Sequence, residues 1–589
     1  MARNKYDVDE ELQSGFNKTH LKRLFGYMKP YKGKIGRSVF LMIVSSMITL
    51  LGPIIVKTAL DKYVPEGNVK GLIGLALAYL IIYIIVASIM RNRMKTMGET
   101  GQSILVDIRY DLFKNLQHVP FNYYDSRPHG KILVRVVNYI NSLSDILSNG
   151  FVNLIADCIT LVVTLGFMLS LDVKLTLVTL STMPILAIVM FALKKKQRLA
   201  FQRVSTKQSN LNAYIHENIS GMKVIQAFSR NQQNKEVFNE LSAEYSRSWM
   251  SAVKLNFLIW PTIEIVAVLS SSLIYIFGIL VFKDTLTVGL LVAFVSYVWI
   301  FWAPITNMGN FYNTLINAMS YLERIFEAMD EEIEVDMDNA IELKDIKGNV
   351  EFKNVTFGYE EGANILENIN MNIKQGEKIA LVGPTGAGKT TIVNLISRFY
   401  KINSGEILID GINIDTVTAN SLRKEVAVML QDPFIFSGTV MDNIRYGKLD
   451  ATEEEIIRAA KIVKAHDFIK DFENGYYTVL NEQGSGLSVG QKQLISFARV
   501  LLSDPRILIL DEATSSIDTE TEKLLQIGIE ELLKGRTSFV IAHRLSTIIN
   551  SDKIMYIGDK SILESGNHKE LLEKDGYYNK LYKAQYLEI

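Results

Sequence analysis

From residue 38 onward the chain returns repeatedly to apolar stretches long enough to cross a bilayer, about 20 residues each. Six are read, at 38–56, 71–90, 146–171, 175–193, 255–282 and 286–310. The third is interrupted only by Asp157 and the fifth by Glu264. Soluble cores rarely contain six apolar runs of this length, so the pattern predicts an all-α membrane domain of six spans. The pattern changes in the second half. Residues 350–357 alternate, and short apolar β-type runs follow at 378–382, 425–430, 506–512 and 537–541, with helical runs at 392–399 and 492–502. That mixture predicts an α/β domain.

Two connections, 91–145 and 194–254, are too long for turns, and they are amphipathic, with apolar residues recurring at Ile104, Ile108, Leu112 and Leu116. Spans two to five are therefore expected to continue as helices beyond the bilayer. Each pair would be joined by a short lateral helix, expected near 124–130 and within 212–222, where caps and breakers cluster. Asp330, Glu331, Glu332, Glu334, Asp336 and Asp338 form an acidic run that reads as a solvated linker. The predicted organisation is an N-terminal segment (1–34), a membrane domain (35–329), an acidic linker (330–347) and an α/β domain (348–589).

Charge orients the membrane domain. Lys and Arg crowd the N-terminal segment and the two long connections, whereas 57–70, 172–174 and 283–284 are short and poor in them. Positive-inside reasoning places both termini, the long connections and the α/β domain in the cytoplasm. The first thirty or so residues are polar and charged, so no cleavable signal peptide is read there. The chain has 63 Lys plus Arg against 63 Asp plus Glu, which argues against a nucleic-acid protein held by a basic surface. With Cys158 as the single cysteine, a disulfide within the chain and a zinc cluster are excluded. An acid at membrane depth is costly, so Asp157 and Glu264 read either as contacts for a cationic substrate or proton, or as interhelical hydrogen-bonding groups. Trp299 and Trp302 read as packing or interfacial residues.

The strongest chemical signal is Gly383-Pro-Thr-Gly-Ala-Gly-Lys-Thr-Thr391, which fills G-x-x-x-x-G-K-[ST] between a predicted strand and a predicted helix. Glycines allow backbone N–H groups to curl around phosphates, and the helix N-terminus adds its positive dipole end. Lys389 can reach the β- and γ-phosphates and the Thr390 hydroxyl can ligate Mg²⁺. Tyr359, about two dozen residues earlier, can stack on a purine. The strand 506–512 ends in Asp511 and Glu512, placing one acid for the metal and one for the attacking water.

With Leu487-Ser-Val-Gly-Gln491, Gln431 and His543 added, the chain resembles an ATP-binding cassette (ABC) exporter half-transporter, multidrug-resistance-like, over nearly its whole length. The resemblance implies the type I exporter fold: six membrane helices followed by an α/β P-loop nucleotide-binding domain. It implies ATP and Mg²⁺ as cofactors, and ATP-driven export of amphipathic molecules by alternating access. Lipid translocation in the same architecture, and an ATPase that gates rather than pumps, are the alternatives. By the resemblance Tyr359 seats adenine, and Gly383, Pro384, Thr385, Gly386, Ala387, Gly388, Lys389, Thr390 and Thr391 form Walker A. Thr390, Gln431 and Asp511 serve the metal, Glu512, His543 and Gln431 are catalytic, and 515–518 is the D-loop. Ser488, Gly490 and Gln491 belong to a signature that caps the ATP of a second half-transporter.

Three positions depart from the family pattern. Val489 replaces the first glycine of LSGGQ, Glu482 stands where exporters commonly have two acids, and the D-loop reads Ser-Ser-Ile-Asp. With Lys389, Asp511, Glu512, Gln431 and His543 intact, this resembles the catalytically complete half of bacterial heterodimeric exporters. A heterodimer in the cell membrane is therefore expected over a homodimer.

Overall fold

Apolar runs of bilayer length become helices because a membrane span must satisfy its backbone internally. The computed structural model describes residues 18–127, 129–280, 286–360, 362–429, 433–512, 519–542 and 545–586. Among these, six helical segments are long and apolar enough to cross a membrane: Thr19–Tyr63, Val69–Leu116, Ile132–Leu171, Val173–Ser220, Asn231–Leu280 and Val288–Gly309. Most run far beyond one bilayer thickness, as the amphipathic connections predicted. The chain divides into two units, 1–117 with 128–331, and 118–127 with 332–589.

In the first unit, Leu50, Leu175, Ile263, Val266, Phe294, Tyr297, Phe301 and Trp302 form a buried cluster. Tyr297 donates its hydroxyl to the Leu50 carbonyl at 2.6 Å, so the buried phenol is satisfied. Trp302 is buried and Trp299 half exposed, a packing residue and a surface residue. Asp61 accepts from the Gly289 N–H at 2.7 Å, an approach that a Cβ on Gly289 would block. The outward surface stays apolar, with Ile188 and Phe191 exposed, as a lipid-facing surface requires.

The structure separates the two intramembrane acids. Asp157 accepts from Asn307 Nδ2 at 3.2 Å, and the buried Arg93 guanidinium, which donates to Asn153, lies close enough to interact with its charge. Glu264 is half-buried and has no hydrogen bond or ion pair among the described residues; Trp260, one turn earlier, is exposed.

Among the described residues the second unit has twelve strands: β1 (Val350–Phe357), β2 (Leu366–Ile373), β3 (Lys378–Val382), β4 (Ser404–Ile409), β5 (Ile412–Asn413), β6 (Val426–Met429), β7 (Gly438–Thr439), β8 (Val479–Leu480), β9 (Ile507–Glu512), β10 (Thr537–Ala542), β11 (Lys553–Gly558) and β12 (Ser561–Gly566). One sheet has the order β2-β1-β4-β5 and is antiparallel. The main sheet runs β12-β11-β3-β10-β9-β6, parallel except at the β11–β12 edge. β7 and β8 form a separate antiparallel pair. β3, β9 and β10 read as continuous apolar runs because both faces of the parallel sheet are covered.

Two expectations need correction. Short helices in the two connections lie at Phe121–Asp125 and Met222–Ala227, overlapping the expected 124–130 and 212–222 only at their ends. In the second case the helix Met183–Ser220 runs through the expected segment and breaks only at Gly221. The acidic run is not wholly solvated. Glu334 and Asp336 are bound by Arg398, whose side chain is 10% exposed, and Arg423 adds a second bond to Glu334 at 2.9 Å. The sequence signal for a linker was charge alone, and charge does not report a partner 62 residues away.

Candidate nucleotide-binding site

Four parallel strands, β3, β10, β9 and β6, end at one edge of the main sheet. Ligands of open α/β sheets bind outside the carboxyl ends of the strands, and the predicted motifs follow those ends. The phosphate loop leaves β3, and Asp511 and Glu512 close β9. Gln431 follows β6, His543 follows β10, and both lie outside the described residues, as do 515–518. Glu512 is described only through its backbone, which pairs with Ala542.

The loop has the backbone its glycines permit. Gly383, Gly386 and Gly388 have φ of 143°, 83° and 99°, values that L side chains rarely adopt. A Cβ on Gly383 would fall 2.1 Å from the Ile557 carbonyl oxygen of β11, so only glycine lets the loop leave the sheet here. Lys389 opens the helix Lys389–Ile396 and folds back over the loop, donating from Nζ to the carbonyls of Gly383 at 2.8 Å and Pro384 at 2.9 Å. Burial pushes its ammonium below the ordinary lysine range, and the Asp511 carboxylate opposes that shift. Pro384, Thr385 and Gly386 are exposed at the loop, Ala387 is half-buried, Thr391 is buried and Thr390 is exposed.

These residues fit a triphosphate: a loop turned by three glycines at positive φ, a helix N-terminus and one cation folded over the loop. They also fit Mg²⁺, which takes one or two protein oxygens and completes its shell with phosphate and water. Asp511 and the Thr390 hydroxyl offer those oxygens. Among the described residues there is no cluster of three or more His, Cys, Asp or Glu side chains suited to binding a metal by itself.

Tyr359 follows β1, 40% exposed. Its ring meets Phe357 and Tyr400 edge to face, with centroids 5.0 Å and 4.9 Å apart, and its hydroxyl lies 3.2 Å from Thr391 Oγ1. Two perpendicular ring contacts fix Tyr359 while two fifths of its surface stays open, room for a stacked base.

The stretch 487–491 starts the helix Val489–Ser503. Ser488 is its N-cap: its Oγ accepts from the Gln491 N–H at 3.2 Å, and its own N–H donates to Gln491 Oε1 at 3.0 Å. This capping box satisfies two orphan groups at once. Leu487 packs on the core and Gly490 is buried, while Ser488 is exposed and Val489 is 49% exposed.

Sequence reasoning missed Arg398, Phe399 and Tyr400, just beyond the phosphate-loop helix. Arg398 donates to the carbonyls of Ile414 and Val417 as well as to Asp336. Phe399 stacks on Phe121 at 5.2 Å, and the Tyr400 hydroxyl donates to Asp125. No motif flags them, because their partners are scattered from residue 121 to residue 423.

Residues 35–305 match the family model of the ABC transporter transmembrane region, and 366–515 match that of the ABC transporter domain. The chain is similar to the uncharacterized ABC transporter ATP-binding protein YknV of Bacillus subtilis, 41% identical over 99% of this chain and 97% of that protein. It is 37% identical to the putative multidrug export ATP-binding/permease protein YgaD of the same species, over 96% of this chain and 99% of that one. A fatty acid ABC transporter ATP-binding/permease protein of Mycobacterium bovis is also 37% identical, over 87% of this chain and 81% of that one. A bacterial Atm1-family ABC exporter solved with ATP bound superposes with a TM-score of 0.80 at 27% identity, covering 94% of this chain and 98% of that one.

Proposed function

Since this chain belongs to the ABC transporters of the exporter type, which hydrolyse ATP and work as dimers, we propose that it is the catalytically complete half of a pump for amphipathic small molecules. We favour a second, non-identical half-transporter as its partner. The observation that carries this reading is an asymmetry within the nucleotide domain. The phosphate loop has three glycines at positive φ and a lysine folded over it, whereas the signature exposes a valine side chain where the family pattern has glycine.

In this reading Tyr359 seats adenine, and the backbone of 383–391 and the Lys389 ammonium hold the phosphates. Thr390, Asp511 and Gln431 would hold Mg²⁺, which supplies charge neutralisation across the β- and γ-phosphates. By the family pattern Glu512 would orient and polarise the attacking water, and His543 and Gln431 would serve the γ-phosphate. Ser488, Gly490 and Gln491 serve the partner's nucleotide through their hydroxyl and N–H groups. The cytoplasmic placement of both termini rests on the charge asymmetry of the connections. The helix Met222–Ala227 leaves Met222, Val224 and the adjoining Phe228 exposed, a surface suited to cover by a second chain.

Alternating access is the transport cycle we assign. Glu264, half-buried without a polar partner among the described residues and one turn from the exposed Trp260, supports an amphiphile with a cationic head. Lipid or fatty-acid movement is the second reading, favoured by the resemblance to the mycobacterial fatty acid transporter.

Vesicles carrying the chain alone, or with a co-expressed second half, test both points. The pair is expected to hydrolyse ATP and accumulate a lipophilic cationic dye, while the chain alone stays near background. Robust ATPase activity from the chain alone would overturn the heterodimer. ATP-dependent accumulation of a fatty acid but not of the dye would replace the first substrate reading with the second.

A further inference from the structure

We propose that Tyr400 is a positioning residue that ties the ring of Tyr359 to the short lateral helix Phe121–Asp125, so that a base seated on Tyr359 orders that helix. The inference rests on the reading of Tyr359 as the adenine seat. It adds a residue and a route that the motif pattern does not contain.

Chain geometry places Tyr400. The helix Lys389–Ile396 ends at Ser397, and Arg398 turns the backbone with φ of 49°. Arg398 then anchors that turn through the Ile414 carbonyl at 2.9 Å, the Val417 carbonyl at 2.6 Å, and Asp336. Phe399 and Tyr400 are thereby projected from a fixed point. Phe399 lies flat against Phe121, with ring planes 26° apart, and the Arg423 guanidinium sits 5.5 Å from the Phe399 centroid.

Tyr400 is 9% exposed and meets three other rings. It packs edge to face on Tyr359 at 4.9 Å and on Phe121 at 6.2 Å, and tilted against Phe357 at 5.8 Å. Its hydroxyl donates to the Asp125 carboxylate at the end of the short helix. Burial, then the hydrogen bond and charge of Asp125, hold this hydroxyl well above the ordinary tyrosine range, so it remains a donor at any physiological pH. The start of the same segment is tied separately, by the Glu334 N–H donating to the His118 carbonyl at 2.7 Å.

Direct contacts therefore run from Thr391 of the phosphate-loop helix to Tyr359, from Tyr359 to Tyr400, and from Tyr400 to Asp125. A base stacked on Tyr359 restricts its ring. The edge-to-face contact passes that restriction to Tyr400, and the hydroxyl passes it to Asp125. A tyrosine that only filled space would act through its ring, and its hydroxyl would be dispensable.

The test uses the full chain with its partner half in lipid nanodiscs, in a Glu512→Gln background that retains nucleotide. Hydrogen exchange of the 119–127 peptide is followed with and without Mg-ATP, and mant-ATP affinity is measured in parallel. In the parent, ATP is expected to slow exchange of this peptide about tenfold. Tyr400→Phe and Asp125→Ala should each remove most of that effect while affinity stays within about twofold. Asp125→Asn, which keeps an acceptor oxygen, should restore it. Full ATP-dependent protection in both Tyr400→Phe and Asp125→Ala, or no protection in a parent that binds mant-ATP, would overturn the proposal. Unchanged affinity in Tyr359→Ala would instead overturn the adenine seat and the relay with it, a failure separable from loss of the relay alone.

Discussion

The phosphate loop and the signature stretch lie in one folded unit and both open helices, yet they are built on opposite terms. The loop at 383–391 is closed on itself: three glycines at positive φ, and a buried lysine that bonds to the loop's own carbonyls. The signature at 487–491 is an exposed helix start, with Ser488 closed into a capping box and Val489 half exposed. The first is a receptacle organised within its own chain. The second is an exposed helix end that, in the proposed function, serves a nucleotide held by another chain. Their difference is what the proposal of a nucleotide site shared between two chains builds on.

Removing the acid that follows Asp511 tests the receptacle most severely. Glu512→Gln keeps size and one acceptor but loses the charge that polarises water, so turnover of the assembled transporter should fall about 10²–10⁴-fold. Mant-ATP binding should persist, measured on the same preparation. Turnover within a few-fold of the parent would assign the polarising role to another group and blur the contrast between the two regions.

How much of this was legible in the sequence follows the range of each interaction. The six spans were readable because each needs only its own run of apolar residues. The phosphate loop was readable because Gly383, Gly388, Lys389 and Thr390 act within eight positions. The clamp of Arg398 on Asp336 and the hydrogen bond of Tyr400 to Asp125 were not, since those partners lie 62 and 275 residues apart. The lateral helix Phe121–Asp125 was misplaced by a few residues for the same reason. Five residues carry too little periodicity to announce a helix, and the contacts with Phe399 and Tyr400 are what hold it. Asp157 and Glu264 looked alike in sequence, and only the fold gave one of them Asn307 as a partner.

A smaller effect is expected from Lys389→Met, which retains the buried stem and removes the ammonium. A hydrogen bond to a charged group contributes about 1.5–3 kcal/mol, so mant-ATP affinity should fall about 10- to 100-fold. The loop also loses the bonds from Nζ to Gly383 and Pro384, and its ordering should loosen. Equilibrium binding, with the melting temperature as a fold control, checks this. Undiminished affinity would mean the backbone cradle suffices, making the receptacle less dependent on its cation than the geometry implies.

The smallest and most discriminating change is Val489→Gly, which returns the signature to the common family pattern. Glycine at the first helical position gives up ~0.5–1 kcal/mol of local stability, since it has more backbone freedom to lose. It also clears the isopropyl group from the exposed helix end, where N–H groups would meet the partner's phosphate. If this signature serves a site in the partner that holds ATP without turning it over, phosphate release by the pair should rise no more than about twofold. Retention of ATP at the second site should lengthen instead, read as slower mant-ATP dissociation. In a homodimer both hydrolytic sites would gain the glycine together, and phosphate release would rise well beyond that bound. One substitution thus reports on the partner, because the proposed function assigns Val489 to a nucleotide site held by the other chain.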